Sequence, residues 1–138
     1  MGKQFRRLSC ALGIVVVVGF LCPVPSFAGD AGCTQEDPFT PFDTIDGDNP
    51  VTMQNSRVVE LRASNRSKCA WGRISSGTPG EEIWTDRKDP SAKEHEGFLG
   101  YTRIDSGSAK YTEPFKNDGK VMRACGSSQG VIECTGWF

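Results

Sequence analysis

Short apolar segments alternate with turn-forming clusters from Arg57 to the end of the chain, and this pattern most constrains the fold. The segments are rich in β-branched and aromatic residues, and clusters of Gly, Ser, Pro and Asp separate them at the spacing of short antiparallel strands. There are seven, at residues 57–64, 68–75, 82–88, 98–105, 109–116, 120–127 and 131–138. The pattern predicts an all-β fold, a small antiparallel barrel or sandwich.

The beginning of the chain follows a different pattern. A basic start leads into an apolar run at residues 11–21, and small residues surround a cleavage position after Ala28. This is the layout of a secretory signal peptide over residues 1–28. The run falls well short of the roughly 20 apolar residues that a membrane-spanning helix needs. We therefore expect an exported protein with no stable membrane anchor after cleavage.

Four cysteines remain beyond that segment: Cys33, Cys69, Cys125 and Cys134. An even number in a short exported chain predicts two disulfides and allows three pairings. Cys125 pairs locally with Cys134 if residues 126–130 form a hairpin turn, which would leave Cys33 for Cys69. A metal site is disfavoured, because the chain has no CxxC spacing and a single His.

Charge divides the exported part into two regions. Removing residues 1–28 leaves 13 Lys and Arg against 17 Asp and Glu, a formal charge of −4. Residues 29–56 are acidic, lack Lys and Arg, and have no sustained apolar period, which predicts an irregular arm ahead of a β domain at 57–138. Within the arm, the spacing of Phe39, Phe42 and Ile45 predicts one helical turn. Nucleic-acid binding is disfavoured, since it requires clustered basic residues.

The segment VELRASNRSKCAWGRI, residues 59–74, resembles the YjfA-like family of small secreted bacterial proteins, which carry a domain of unknown function. The matching residues are Val59, Leu61, Arg62, Ser64, Cys69, Trp71, Gly72, Arg73 and Ile74. Weaker similarities occur around Cys33, Cys125 and Cys134. The resemblance implies an exported, disulfide-bearing, mostly β domain with no established activity.

Catalytic chemistry has few candidate residues. His95 is the only histidine and lies in the polar loop 89–97, where we expect it to be solvated, so the chain offers little for a nucleophile and base pair. A hydrolase could instead use paired carboxylates. The candidates are Glu60, Glu81, Glu82 and Glu113, which strand alternation places in solvent. Whether the protein is an enzyme stays open, with a non-enzyme favoured.

The acidic arm contains the one candidate ion site. Asp43, Asp46 and Asp48 offer oxygen ligands to Ca²⁺, although their spacing does not match an EF-hand loop. A solvated acidic turn explains the same residues. No other cofactor is expected.

Binding residues are predicted on the strands. Trp84 shares a strand face with polar residues and is, with Tyr101, a candidate exposed aromatic for docking a glycan or a protein. Arg62 and Arg73 flank Trp71, which forms either a ligand platform with them or, as we favour, part of the core.

We interpret the chain as a non-catalytic binding module that acts at or outside the cell envelope. Its partner would be an extracellular protein or a cell-envelope glycan. One alternative is a peptidase inhibitor that presents loop 76–81 or loop 89–97. The other is the carboxylate hydrolase.

Overall fold

The structure, a computed structural model, describes residues 28–138. The proposed signal peptide lies outside the described residues except for Ala28. Residues 28–138 form β-strands and loops and contain no helix. The strands are β1 (Pro38–Phe39), β2 (Val51–Thr52), β3 (Val58–Ser64), β4 (Cys69–Ser75), β5 (Glu82–Lys88), β6 (Glu96–Arg103), β7 (Lys110–Tyr111), β8 (Phe115–Lys116), β9 (Val121–Ser128) and β10 (Val131–Cys134). In this part of the chain, no helix long and apolar enough to cross a membrane is found.

Two antiparallel sheets enclose the core. The first has the order β1-β3-β4-β7, with β2 also beside β3 and β8 also beside β4, and the second has the order β10-β9-β5-β6. Apolar residues from both sheets, among them Leu61, Ile74, Ile83 and Met122, form one buried cluster. The predicted all-β class is confirmed, and the sheets pack as a sandwich instead of closing into a barrel.

Both disulfides are present, Cys33–Cys69 and Cys125–Cys134. Cys125 and Cys134 lie directly opposite each other on β9 and β10. The hairpin that the sequence suggested therefore sets the local pair, and this leaves the remaining two cysteines to each other.

One predicted strand is divided. Residues 109–116 form β7 and β8, which flank Thr112. The Thr112 N–H donates to the Gly72 carbonyl at 2.9 Å, and the Thr112 hydroxyl, in place of a backbone carbonyl, accepts from the Gly72 N–H at 2.9 Å. Pro114 then has no N–H to donate. Regular pairing with β4 is therefore interrupted between the two short strands.

The arm covers the outer face of the first sheet. Trp71 is only 1% exposed, yet it points away from the core and shares that outer face with Arg62, its pairing partner on β3. The arm is attached around it, by Cys33 to Cys69 and by a hydrogen bond from the Gln35 amide to the Thr112 carbonyl at 3.0 Å. Trp71 is thus buried as expected, but beneath the arm and outside the core between the sheets.

The predicted helical turn in the arm is wrong. Phe39 lies in β1, which pairs with β3, and its ring packs edge-on against Phe138 at 5.9 Å. Phe42 and Ile45 are exposed. The three apolar side chains do not share one face, because β1 fixes the backbone at Phe39 in an extended conformation.

Glu81 precedes β5 and is buried among hydrogen-bond donors. It accepts from Arg57 Nε at 2.7 Å, from the Ser128 hydroxyl at 2.9 Å and from the Thr78 N–H at 3.1 Å. Burial raises the pKa of Glu81, but these hydrogen bonds outweigh it, and the pKa lies below the usual 4.5. A carboxyl whose pKa is lower in the folded state stabilises the fold above its unfolded pKa.

We expect this contribution to disappear on acidification. Glu81→Gln should lower the free energy of unfolding by about 2 kcal/mol at pH 7, because it removes a buried charged acceptor. The difference from the parent should shrink as the pH falls through the lowered pKa of Glu81, where the carboxyl of the parent is itself protonated. Urea unfolding at pH 7 and pH 3 measures this difference in the free energy of unfolding, and Glu94→Gln, at an exposed position, is the control. An equal loss at both pH values would contradict this account.

Candidate binding face

Three aromatic rings meet on the outer face of the four-stranded sheet. Trp84 on β5 stacks on Phe98 of β6 with ring centroids 5.0 Å apart, and Tyr101 of β6 lies 6.3 Å from both. Phe98 is 63% exposed and covers Trp84, which is 4% exposed. We call Trp84, Phe98 and Tyr101 the aromatic cluster.

Irregular pairing between β5 and β6 produces the cluster. The register pairs Glu82 with Arg103 and Thr85 with Leu99, so β6 gains an extra residue opposite Trp84, and a second shift follows before Arg87. Each extra residue reverses the strand alternation. Phe98 and Tyr101, three positions apart, can therefore both reach Trp84.

Phe98 holds an uncommon backbone conformation. Its φ is +58°, a left-handed value that bulky residues rarely adopt and that costs free energy. The Phe98 N–H donates to Asp86 Oδ1 at 3.3 Å, which ties the backbone to β5 at this point. A strained backbone that presents an exposed aromatic ring is typical of a functional site more than of a structural one.

Polar groups border the aromatic cluster on one side. Arg103 Nε donates to the Tyr101 hydroxyl at 3.1 Å, and the same guanidinium lies 3.2 Å from Glu82 Oε1. Arg103 is exposed, so its remaining N–H groups face solvent beside the rings. The face thus combines an apolar ring surface with both donors and acceptors.

A charged group adjoins the cluster on the other side. Asp86 is buried and accepts from Arg123 Nε at 2.9 Å, and His95 Nε2 lies 3.5 Å from the same carboxylate. Trp137 lies beside them, with the Arg123 guanidinium 4.6 Å and the Lys88 ammonium 4.8 Å from its ring centroid. His95 was expected to be simply solvated, but it faces a buried carboxylate.

The sequence located this face only in part. Trp84 and Tyr101 do come together, but the predicted exposure of Trp84 is wrong because the Phe98 ring covers it. Phe98 was missed, since strict alternation along 98–105 places it on the opposite face from Tyr101. Gly97 and Gly100, either side of Phe98 and Leu99, are the signal for irregular pairing that could have indicated it.

Arg62 and Arg73 lie elsewhere, on the outer face of the other sheet. Arg62 Nη1 is 3.6 Å and Arg73 Nη1 is 3.3 Å from the Glu60 carboxylate, which also accepts from the Thr40 hydroxyl. The outer faces of two packed sheets point in opposite directions, so these arginines are not joined to the aromatic cluster. Their Nε atoms are buried and have no acceptor.

The candidate carboxylates are largely committed to ion pairs. Glu60 and Glu81 are 8% exposed, which contradicts the prediction that alternation leaves them in solvent. Arg62 and Arg73 form ion pairs with Glu60. Arg57 forms an ion pair with Glu81. Their burial has a physical reason, because guanidinium partners compensate the loss of hydration.

The Ca²⁺ candidates do not converge. Asp43, Asp46 and Asp48 are all exposed. Within residues 28–138, the one group of three acidic, His or Cys side chains with ligand atoms all within 4.8 Å is Asp86 with Cys125 and Cys134.

Neither loop proposed for peptidase inhibition is closed by a disulfide. In loop 76–81, the Glu81 N–H donates to the Thr78 carbonyl at 3.3 Å, and the Glu81 carboxylate accepts from the Thr78 N–H. The loop therefore folds back as a turn.

No family model, no curated protein and no solved structure matches this chain.

Proposed function

We propose that the protein is a secreted, non-catalytic binding module whose aromatic cluster docks the sugar rings of a cell-envelope glycan. The observation that carries the proposal is the exposed Phe98 ring, held at a left-handed φ on top of Trp84 and beside Tyr101. Secretion is supported by the signal-peptide pattern of residues 1–28 and by two disulfides, which form in oxidising compartments. Membership of the YjfA-like family is part of the same proposal.

Chemical complementarity favours a glycan as the partner. One side of a pyranose ring presents C–H groups with partial positive charge, and the π face of an aromatic ring carries partial negative charge. The ring edge presents hydroxyls, which need donors and acceptors close to the apolar surface. Arg103 and Glu82 provide both beside Tyr101.

The test compares two exposed phenylalanines. Phe98→Ala should weaken binding to insoluble peptidoglycan or to other envelope polysaccharides by about tenfold or more, which corresponds to about 1.4 kcal/mol from one stacked ring. Tyr101→Ala should weaken binding as well, because it removes a second ring of the aromatic cluster. Co-sedimentation with the washed polysaccharides measures the bound fraction.

Phe42→Ala is the matched control, because Phe42 is an exposed Phe on the arm, outside the aromatic cluster. It should leave binding unchanged. Equal retention of the Phe98→Ala and Phe42→Ala variants would contradict the proposal, and retention on a protein matrix alone would indicate a protein partner instead.

A further inference from the structure

Arg62 and Arg73 lie on the outer face of the first sheet and share one carboxylate. Arg73 pairs directly with Glu60 across β3 and β4, and Arg62 lies two residues further along β3. Arg73 Nη1 is 3.3 Å from Glu60 Oε2, and Arg62 Nη1 is 3.6 Å from Glu60 Oε1. The Thr40 hydroxyl also donates to Glu60 Oε1. Both Glu60 oxygens are therefore engaged, and the three charged side chains together carry one net positive charge.

The Nε–H group of each arginine is buried and has no acceptor. Three buried side-chain nitrogen and oxygen atoms of residues 28–138 lack a hydrogen-bond partner, and two of them are Arg62 Nε and Arg73 Nε. A buried N–H without an acceptor costs free energy, so two such groups on neighbouring arginines require an explanation. Nε and Nη2 form the edge of a guanidinium that binds two oxygens of one anion side by side. The unpaired Nε–H groups therefore indicate an oxyanion site.

The two side chains are held in place but remain accessible. Tyr111 pairs with Arg73, and the Arg73 Cζ lies 5.5 Å from the centroid of the Tyr111 ring. Stacking of this kind restrains the guanidinium plane, which reduces the ordering that binding requires. The side chains of Arg62 and Arg73 are 22% and 32% exposed. A ligand can therefore approach both from solvent.

A phosphate group fits this pair of arginines better than water or a carboxylate does. A water molecule would accept from an N–H group but would leave the excess positive charge in place. A carboxylate presents both oxygens in one plane, which suits a single guanidinium, whereas the tetrahedral oxygens of a phosphate can accept from two guanidiniums in different planes. Diagonal positions on paired strands lie about 7–8 Å apart, so long side chains at these positions can reach the same group.

We infer that Arg62 and Arg73 form a binding site for a phosphate group. The group is either a free phosphate ion or a phosphodiester within a polymer, since both present terminal oxygens to guanidinium donors. The site lies on the opposite sheet from the aromatic cluster, so the inference does not rest on glycan binding.

The experiment is an NMR titration of the isotope-labelled exported chain that observes the arginine Nε–H groups directly. Inorganic phosphate, added at constant ionic strength, should cause saturable shifts at Arg62 and Arg73. Arg66 is the control, because it is exposed and pairs with Glu36, and its signal should not move. Dimethyl phosphate, titrated in parallel, distinguishes the two sources. Tighter binding of the diester would indicate a phosphodiester polymer, and tighter binding of the inorganic ion would indicate free phosphate.

Two variants test the guanidinium edge. Arg62→Lys and Arg73→Lys each keep the positive charge but lose the paired donors, and the Nε–H signal of the remaining arginine reports binding. Each should weaken phosphate binding by at least about tenfold, whereas Arg66→Lys should not. Acetate should bind more weakly than phosphate. Shifts that rise without saturation, equal binding of acetate, or phosphate affinity unchanged in both Arg62→Lys and Arg73→Lys would overturn the inference.

Discussion

Replacing Asn49 with alanine is expected to lower the free energy of unfolding by about 3–4 kcal/mol, because it leaves several buried backbone groups without partners. Asn49 Nδ2 donates to the Pro41 carbonyl at 2.7 Å and to the Leu61 carbonyl at 2.9 Å. The Leu61 N–H donates to Asn49 Oδ1 at 2.8 Å.

The strand pairing explains why one side chain has this effect. Along one edge of β3, β1 pairs with Ala63 and Ser64, and β2 pairs with Val58 and Val59. Leu61 lies in the gap between them and is fully buried, so neither a strand nor water can satisfy its backbone there. The Asn49 amide substitutes for the missing strand.

Urea unfolding measures this prediction. Asn65→Ala is the control, because Asn65 is exposed in the turn between β3 and β4, and it should change stability by no more than about 0.5 kcal/mol. A loss of less than about 1 kcal/mol for Asn49→Ala would show that these hydrogen bonds do not hold the arm to β3.

Removing the Cys33–Cys69 disulfide should destabilise the protein more than removing Cys125–Cys134. The bonds join residues 36 and 9 positions apart. Chain entropy alone predicts that the free energy of unfolding falls by about 4 kcal/mol without Cys33–Cys69 and by about 2.5 kcal/mol without Cys125–Cys134. The first variant, Cys33→Ser with Cys69→Ser, also loosens the arm that covers Trp71. This should lower its stability further.

Two measurements distinguish these contributions. Thermal unfolding of the two double variants gives the order of stability, and fluorescence quenching by acrylamide reports exposure of tryptophan. The Cys33→Ser, Cys69→Ser variant should be less stable and more readily quenched. The reverse order of stability, with no gain in quenching, would show that the arm stays in place without its disulfide.

Much of the fold could be predicted from the alternation of apolar and polar residues along the strands and from the residues that form turns. The pattern that places Val59 and Leu61 on one face of β3 and Glu60 and Arg62 on the other is present in the structure, because one face of that strand is buried in the core. The pairing of Cys125 with Cys134 followed from a short hairpin. Local sequence determines both features, so the sequence alone predicts them without any information on distant contacts.

Long-range features could not be read in this way. The burial of Glu60 depends on two arginines and on an arm residue, Thr40, twenty positions earlier in the chain. Asn49 lies in the predicted irregular arm, yet its side chain bonds the backbone of Leu61 on β3. The aromatic cluster depends on register shifts between β5 and β6, which alternation alone does not predict. In each case, tertiary pairing overrides a local pattern.

The most direct test of glycan binding by the aromatic cluster is an amide-resolved NMR titration of the isotope-labelled exported chain. Soluble fragments released from peptidoglycan by enzymatic digestion serve as the ligand. Saturable shifts are expected at Trp84, Phe98 and Tyr101, with none at Trp71 and Tyr111 on the other sheet. Shifts confined to that other sheet, or no saturable shifts with fragments of a polysaccharide that the protein retains, would contradict the assignment of the binding face.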